Sequence, residues 1–222
     1  MMDCRKTKIL GRSKNPQIRM KKEMFNDILQ ANMQAIEEFR YAAHIAHDDT
    51  HHLYDGHPYS HHLSMVADAV MRFGHDVIEN EADVLPVLFA AFFHDSIEDA
   101  RMTYNDVTHE AEKYMSKEQA FTAAEIVYAV TNDKGRTRAE RAGEKYYAGI
   151  RETPFAPFIK LCDRHANMVY SFAGANESNN HMHRVYQSEW PHFISAITVD
   201  GKDKRFALSP AMISEIEALF EE

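Results

Sequence analysis

Glycine and proline are scarce in this 222-residue chain, at eight and seven residues. That is too few for the turn-dense sequence of a β-sandwich or barrel. Cysteine is scarcer. Cys4 and Cys162 make no disulfide framework, and Cys162 falls in an apolar pattern where a buried thiol is the ordinary outcome. There is no apolar run of 18 residues and no signal-type hydrophobic region, so the expectation is a cytoplasmic protein with no membrane partner. Internal repeats, low-complexity segments and convincing alternating strands are also missing.

What is present favours helices. Hydrophobic residues make up 45% and charged residues 27%, enough for one sizeable core and close to the globular average. The net charge of −9 is unevenly spread. Residues 1–22 carry eight Lys or Arg against Asp3 alone, leaving 33 acids and 17 bases in the remainder. Residues 1–20 read as an irregular basic arm, either a contact for an acidic partner or a solubilising strap. The acidic body, 21–222, argues against a nucleic-acid groove.

Apolar residues at three- and four-residue steps predict a helix over 21–47, with Phe25, Ile28, Leu29, Met33, Ile36 and Phe39 on one face. Further helices are expected at 59–73, closed by Gly74, at 81–95, where the residues after Pro86 are apolar on nearly every side, and at 103–115. The others are 117–131, opened by Ser116, 154–173, 180–199 and a last one with Ser209 as cap and Pro210 at its first position. The expected fold is all-α, one compact helical bundle.

Three clusters carry chemistry. "FAAFFHDSIED" (89–99) runs five apolar residues into His94-Asp95 and adds Glu98 and Asp99. Burying such charge is costly unless something pairs with it or coordinates it, although a solvated His-Asp helix end would use the same letters. In "HPYSHHLSMVADAVMRFG", steps of three, four, seven and eleven from His62 meet Met65, Val66, Ala69 and Phe73, an inward stripe. The same steps from His61 meet Ser64, Met65, Asp68 and Arg72, a mostly polar one. In "PFIKLCDRHANMVYSF", Phe155, Phe158, Ile159, Cys162, Ala166, Val169 and Ala173 form the core face. Asp163 stands beside it between Lys160 and Asn167, a pattern that a surface salt bridge would also produce. Taken together, His62, His94, Asp95 and Asp163 offer two imidazoles and two carboxylates from three helices, a set suited to Mn²⁺, Fe²⁺ or Zn²⁺. Glu98 and Asp99 are then placed to take a proton from a water or to support the ligands.

The order of these motifs resembles the HD-domain metal-dependent phosphohydrolases, most closely the hydrolase domain of RelA/SpoT-type alarmone enzymes and their small stand-alone relatives. "GHPYSHH" (56–62) stands for the G-x-P-Y-x-x-H stretch, "HDSIED" for HDxxED, "AVTNDKGRTRAER" for the VT(D/N) segment and "KLCDRHAN" for KLADRxxN. The likeness spans roughly residues 25–200. It implies an HD-domain fold with one divalent ion, usually Mn²⁺, on His62, His94, Asp95 and Asp163, and water activation by Glu98 and Asp99. The implied substrate is a 3′-pyrophosphorylated purine nucleotide such as (p)ppGpp. Asn167 matches a residue near the ribose, and Lys134, Arg138, Arg141 and Lys160 are candidates for substrate contacts. With no synthetase region following, the expected activity is hydrolytic only. The branch carries a basic pair just before G-x-P-Y. Here Leu53 and Tyr54 stand near that place, and Tyr54 is a candidate for stacking on a base. That departure keeps open an HD phosphohydrolase of another nucleotide: a 5′-nucleotidase, a deoxynucleotide triphosphohydrolase or a cofactor phosphatase. Aromatics near Tyr186 and Trp190, expected to be exposed, offer a homodimer contact.

Overall fold

A computed structural model describes residues 16–132, 137, 143–174 and 177–221. The chain is an all-α bundle with one very small sheet. In chain order the helices are α1 (Pro16–Ala31), α2 (Met33–Asp48), α3 (Ser60–Phe73), α4 (Val84–Phe93), α5 (Ser96–Asp99), α6 (Tyr104–Ala111) and α7 (Lys117–Val130). After them come α8 (Glu144–Glu152), α9 (Ala156–Ala173), α10 (Glu177–Ile197) and α11 (Pro210–Ala218). Among the described residues, no helix is long and apolar enough to cross a membrane.

α4 is the axis of the core. Every residue from Val84 to Phe93 except Leu85 is buried, because the helix is apolar all round and has neighbours on each side: α2, α3 and α7. Phe89 stacks on Phe93 at 4.1 Å, and Phe39 from α2 meets Phe89 edge-on at 5.5 Å. Each fully buried phenyl group contributes roughly 1.5–3 kcal/mol. α9 lies across α3 and is flanked by α7, α8 and α10. It is buried on more than the expected stripe. Leu161, Arg164, His165 and Met168 are inside, whereas Val169 is half-buried and Ala173 exposed near its end.

Several boundaries differ from expectation for local reasons. α1 already includes residues from Pro16 on, inside the expected arm, and proline's fixed φ is tolerated in a first helical turn. The single helix expected over 21–47 is broken at Asn32, whose side-chain Nδ2 donates to the Ile28 carbonyl at 2.8 Å and competes with the backbone ladder. Gly74 does follow α3, but at φ −57°. Its lack of a side chain serves a close approach instead, as a Cβ there would lie 2.6 Å from the Phe25 ring.

Two features were not expected at all. α8 is one. The other is a hairpin pairing β1 (Leu53–Tyr54) with β2 (His57–Pro58), with Leu53 opposite Pro58 and Tyr54 opposite His57. Its turn residues Asp55 and Gly56 have φ of 48° and 81°, the two-residue turn that Asp-Gly favours. Trp190 is only 5% exposed and packs on Phe193 and Phe220. Tyr186 is half-buried against Arg164. Neither is the exposed aromatic on which the dimer expectation relied, because α10 turns this face inward onto α9 and the C-terminal segment.

The caps fall where the sequence put them. Ser116 and Gln119 form a reciprocal capping box on α7. The Ser209 hydroxyl accepts from Met212 N at 3.2 Å, donates to Asp76 Oδ2 at 2.5 Å and is fully buried. Ser209→Ala is expected to lower the unfolding free energy by about 1–2 kcal/mol in a urea titration. An unchanged midpoint would mean that the cap is idle.

Candidate metal centre

Three helices bring the four expected ligands together. His62 comes from the first turn of α3. The corner between α4 and α5 supplies His94 and Asp95, and α9 supplies Asp163. His61 is exposed and His62 is 2% exposed, as the helical spacing requires. His62 Nε2 lies 3.2 Å from His94 Nε2, 3.7 Å from Asp95 Oδ2 and 3.3 Å from Asp163 Oδ1. His94 Nε2 lies 2.9 Å from Asp95 Oδ2 and 4.0 Å from Asp163 Oδ1. An ion about 2.1 Å from each ligand atom separates those atoms by about 3.0–4.2 Å, depending on geometry. The spacing of His62, His94 and Asp95 therefore fits a divalent cation, with Asp163 beside both imidazoles. His62, His94 and Asp95 form the tightest group.

The electrostatics point the same way. His94 Nδ1 donates to the Ala91 carbonyl at 2.9 Å, which turns Nε2 toward the cluster. Burial alone would lower the His94 pKa, yet the Asp95 carboxylate, its hydrogen bond and Asp163 lift it to about 9. Burial would raise the two carboxylates. Instead His94 holds Asp95 below the usual range, and Lys160, then His62 and His94, hold Asp163 well below it. The two carboxylates stay ionised and draw positive charge, part of which His94 and Lys160 supply.

A cavity of about 740 Å³ opens over it, with His62, Asp95 and Asp163 on its wall beside Glu98, Asp99 and Asn132. Glu98 accepts from Asn132 Nδ2 at 2.9 Å and from its backbone N–H at 3.3 Å. Asp99 lies 3.7 Å from His52 Nδ1. Burial, then the Asp95 and Glu98 charges, push its carboxyl up to about 7.

The expected substrate contacts fare differently. Lys160 lines the cavity, but its Nζ is paired with Asp163 Oδ2 at 2.9 Å. Asn167 Nδ2 donates to Asp163 Oδ1 at 2.6 Å, and its Oδ1 accepts from Tyr54 OH at 2.9 Å. Tyr54 is not on the cavity wall. One face of its ring stacks on His62 at 4.8 Å. Lys134, Arg138 and Arg141 lie outside the described residues.

Sequence reasoning missed Tyr59, whose hydroxyl donates to Asp95 Oδ2 at 2.5 Å. Its position three residues before His62, on the same helical face, was the available signal. Arg164 was missed too. It is paired with Glu189 at 3.0 Å, and its guanidinium carbon lies 4.7 Å from the Tyr186 ring and 4.4 Å from that of Phe193. No known family model matches the chain, and no curated protein matches it.

Beneath the centre, His47 is fully buried with neither ring nitrogen hydrogen-bonded, and its ring stacks on Tyr59 at 4.8 Å. Burial drives its pKa down to about 4. The folded value lies below the unfolded 6.5, so this histidine costs no stability above about pH 6.5. Stability falls as pH drops from there toward 4, by up to about 3 kcal/mol. His47→Phe should flatten that acid limb in unfolding curves taken from pH 7 to pH 4. An acid limb of the same slope in the variant would assign the loss to other groups.

Proposed function

We propose that the chain is a metal-dependent phosphohydrolase that removes pyrophosphate from a 3′-pyrophosphorylated purine nucleotide such as (p)ppGpp. One observation carries this reading. Two imidazoles and two carboxylates from three helices gather in one corner, and His62, Asp95 and Asp163 of that corner stand on the wall of a cavity large enough for a nucleotide. The resemblance of "GHPYSHH", "HDSIED" and "KLCDRHAN" to the HD-domain motifs supports the reaction class.

Held by His62, His94, Asp95 and Asp163, a divalent ion such as Mn²⁺ would supply Lewis acidity toward a phosphoryl oxygen and lower the pKa of a water. The chain's own groups supply the rest. Glu98, steadied by Asn132, is the group to take a proton from the attacking water. Asp99, with a carboxyl near pH 7, can hold a proton for the departing 3′-oxygen. Water adds at the phosphorus next to that oxygen, so the products are pyrophosphate and a free 3′-hydroxyl. Among the described residues the wall also carries Glu144 and Glu189, while Lys160 and Arg164 on it are both ion-paired. Such a wall repels a nucleotide polyanion unless a cation accompanies it.

A second reading has its own observation. Where the alarmone branch has a basic pair, Leu53 is 58% exposed and Tyr54 is packed on His62, so a guanine-holding pair is missing there. A phosphohydrolase of another nucleotide, such as a 5′-nucleotidase, a deoxynucleotide triphosphohydrolase or a cofactor phosphatase, fits that change.

Mn²⁺-loaded protein is expected to release pyrophosphate from ppGpp, and chelation is expected to stop it. Release of single phosphates, or a deoxynucleotide optimum in an equimolar panel, transfers the assignment to the second reading. Glu98→Gln should reduce kcat by roughly 10²–10⁴ while metal content stays at the wild-type level. Wild-type turnover in that variant would remove the role given to Glu98.

A further inference from the structure

The hairpin 53–58 brings two tyrosines to the centre from one side. Tyr54 stacks flat on the His62 ring at 4.8 Å, and Tyr59, just past β2, meets the same ring edge-on at 5.4 Å. Their hydroxyls diverge to different carboxylates. That of Tyr59 donates directly to Asp95 Oδ2 at 2.5 Å. Tyr54 reaches Asp163 through one amide. Asn167 Nδ2 donates to Asp163 Oδ1 at 2.6 Å and to the Asp163 carbonyl at 3.0 Å, which leaves Oδ1 of the amide to accept from Tyr54 at 2.9 Å. The hairpin is itself fastened to α9, with Tyr170 OH donating to Asp55 Oδ2 at 3.0 Å and the Tyr170 ring lying edge-on to Tyr54 at 4.8 Å.

An ionised carboxylate accepts only, with about four lone-pair sites. Each bond given to it removes one site and turns the others in a defined direction. Asp95 and Asp163 come from separate helices, and neither helix dictates where the other's carboxylate points. The hairpin and the tyrosine that follows it reach both, Tyr59 directly and Tyr54 through Asn167. We propose that Tyr54 and Tyr59 are positioning residues that aim Asp163 and Asp95 at a shared cation, so that this hairpin assembles the metal centre. The inference rests on the metal reading of the site and goes beyond it by assigning the site's order to two tyrosines that are not among the proposed metal ligands.

The test uses the full chain as wild type, His94→Ala, Tyr59→Phe and Tyr54→Phe. Mn²⁺ affinity is measured by calorimetry, the Co²⁺ complex by its visible absorption, and the metal-free proteins by thermal unfolding. His94→Ala should abolish binding. Tyr59→Phe keeps the ring and loses only the hydroxyl. It should weaken Mn²⁺ binding roughly 10–100-fold and shift the Co²⁺ bands. Tyr54→Phe, one bond further away, should do the same to a smaller extent. A merely structural tyrosine would change the unfolding temperature without moving the Co²⁺ spectrum. If Tyr59→Phe does not fold, the half-buried Tyr54 carries the test. Wild-type affinity and spectrum in both tyrosine variants, with binding lost in His94→Ala, overturn the inference alone. A wild-type protein that takes up neither ion overturns the metal reading, and the inference with it.

Discussion

Two aspartates held ionised in a mostly buried corner set the terms for everything around them. Asp95 and Asp163 face the His62 and His94 imidazoles at 2.9–4.0 Å, where a carboxylate survives only with positive charge beside it. The chain meets that demand partly from its own resources. Lys160 pairs with Asp163, and His94 is poised to hold a proton. A divalent cation would meet it more fully, and the same desolvation would then strengthen its hold. The greasy helix α4 matters here because it is rigid. With nine of its ten residues buried, it delivers His94 and Asp95 to one fixed place.

The surroundings divide into layers of different character. Beneath the centre lies a stack of rings, His47, His52 and Tyr59, with centroids 3.9–5.9 Å apart. Beside it Tyr59 donates to Asp95, and Tyr54 reaches Asp163 through Asn167. Above it the described cavity wall mixes carboxylates with tyrosines, and Lys160 and Arg164 on it are already committed to acids. Arg164 marks the boundary of this wall, charge-paired on one side and covered by aromatic rings on the others. An anionic substrate thus finds no spare positive charge on the described wall, which ties substrate binding to the presence of a cation in the proposed chemistry.

Much of this was legible from spacing. His62 and His61 were told apart by counting turns, Cys162 was placed inside by its stripe, and Ser116, Ser209 and Pro210 marked helix starts that the structure keeps. Other features were hidden for identifiable reasons. "EKYYAGIRE" is too short for periodicity to stand out, so α8 went unread. Asp55-Gly56 is a strong turn signal, but its flanking strands are two residues each and show no alternation. Trp190 and Tyr186 looked exposed because a polar helix face seen alone gives no hint that α9 and the C-terminal segment cover it. In α9 the single apolar stripe understated burial, since Arg164 and His165 go inside only by pairing with Glu189 and Glu215.

The sequence by itself determined the helical class, the inward direction of His62 and the residue types able to bind a cation. These follow from the 3.6-residue repeat and from donor chemistry, both local properties of the chain. Only the tertiary structure decided that positions 62, 94, 95 and 163 share one corner, that Tyr59 closes on Asp95, and that Lys160 answers Asp163. Such contacts depend on how helices cross, and crossings are set by the packing of whole side-chain surfaces that no short stretch of sequence encodes.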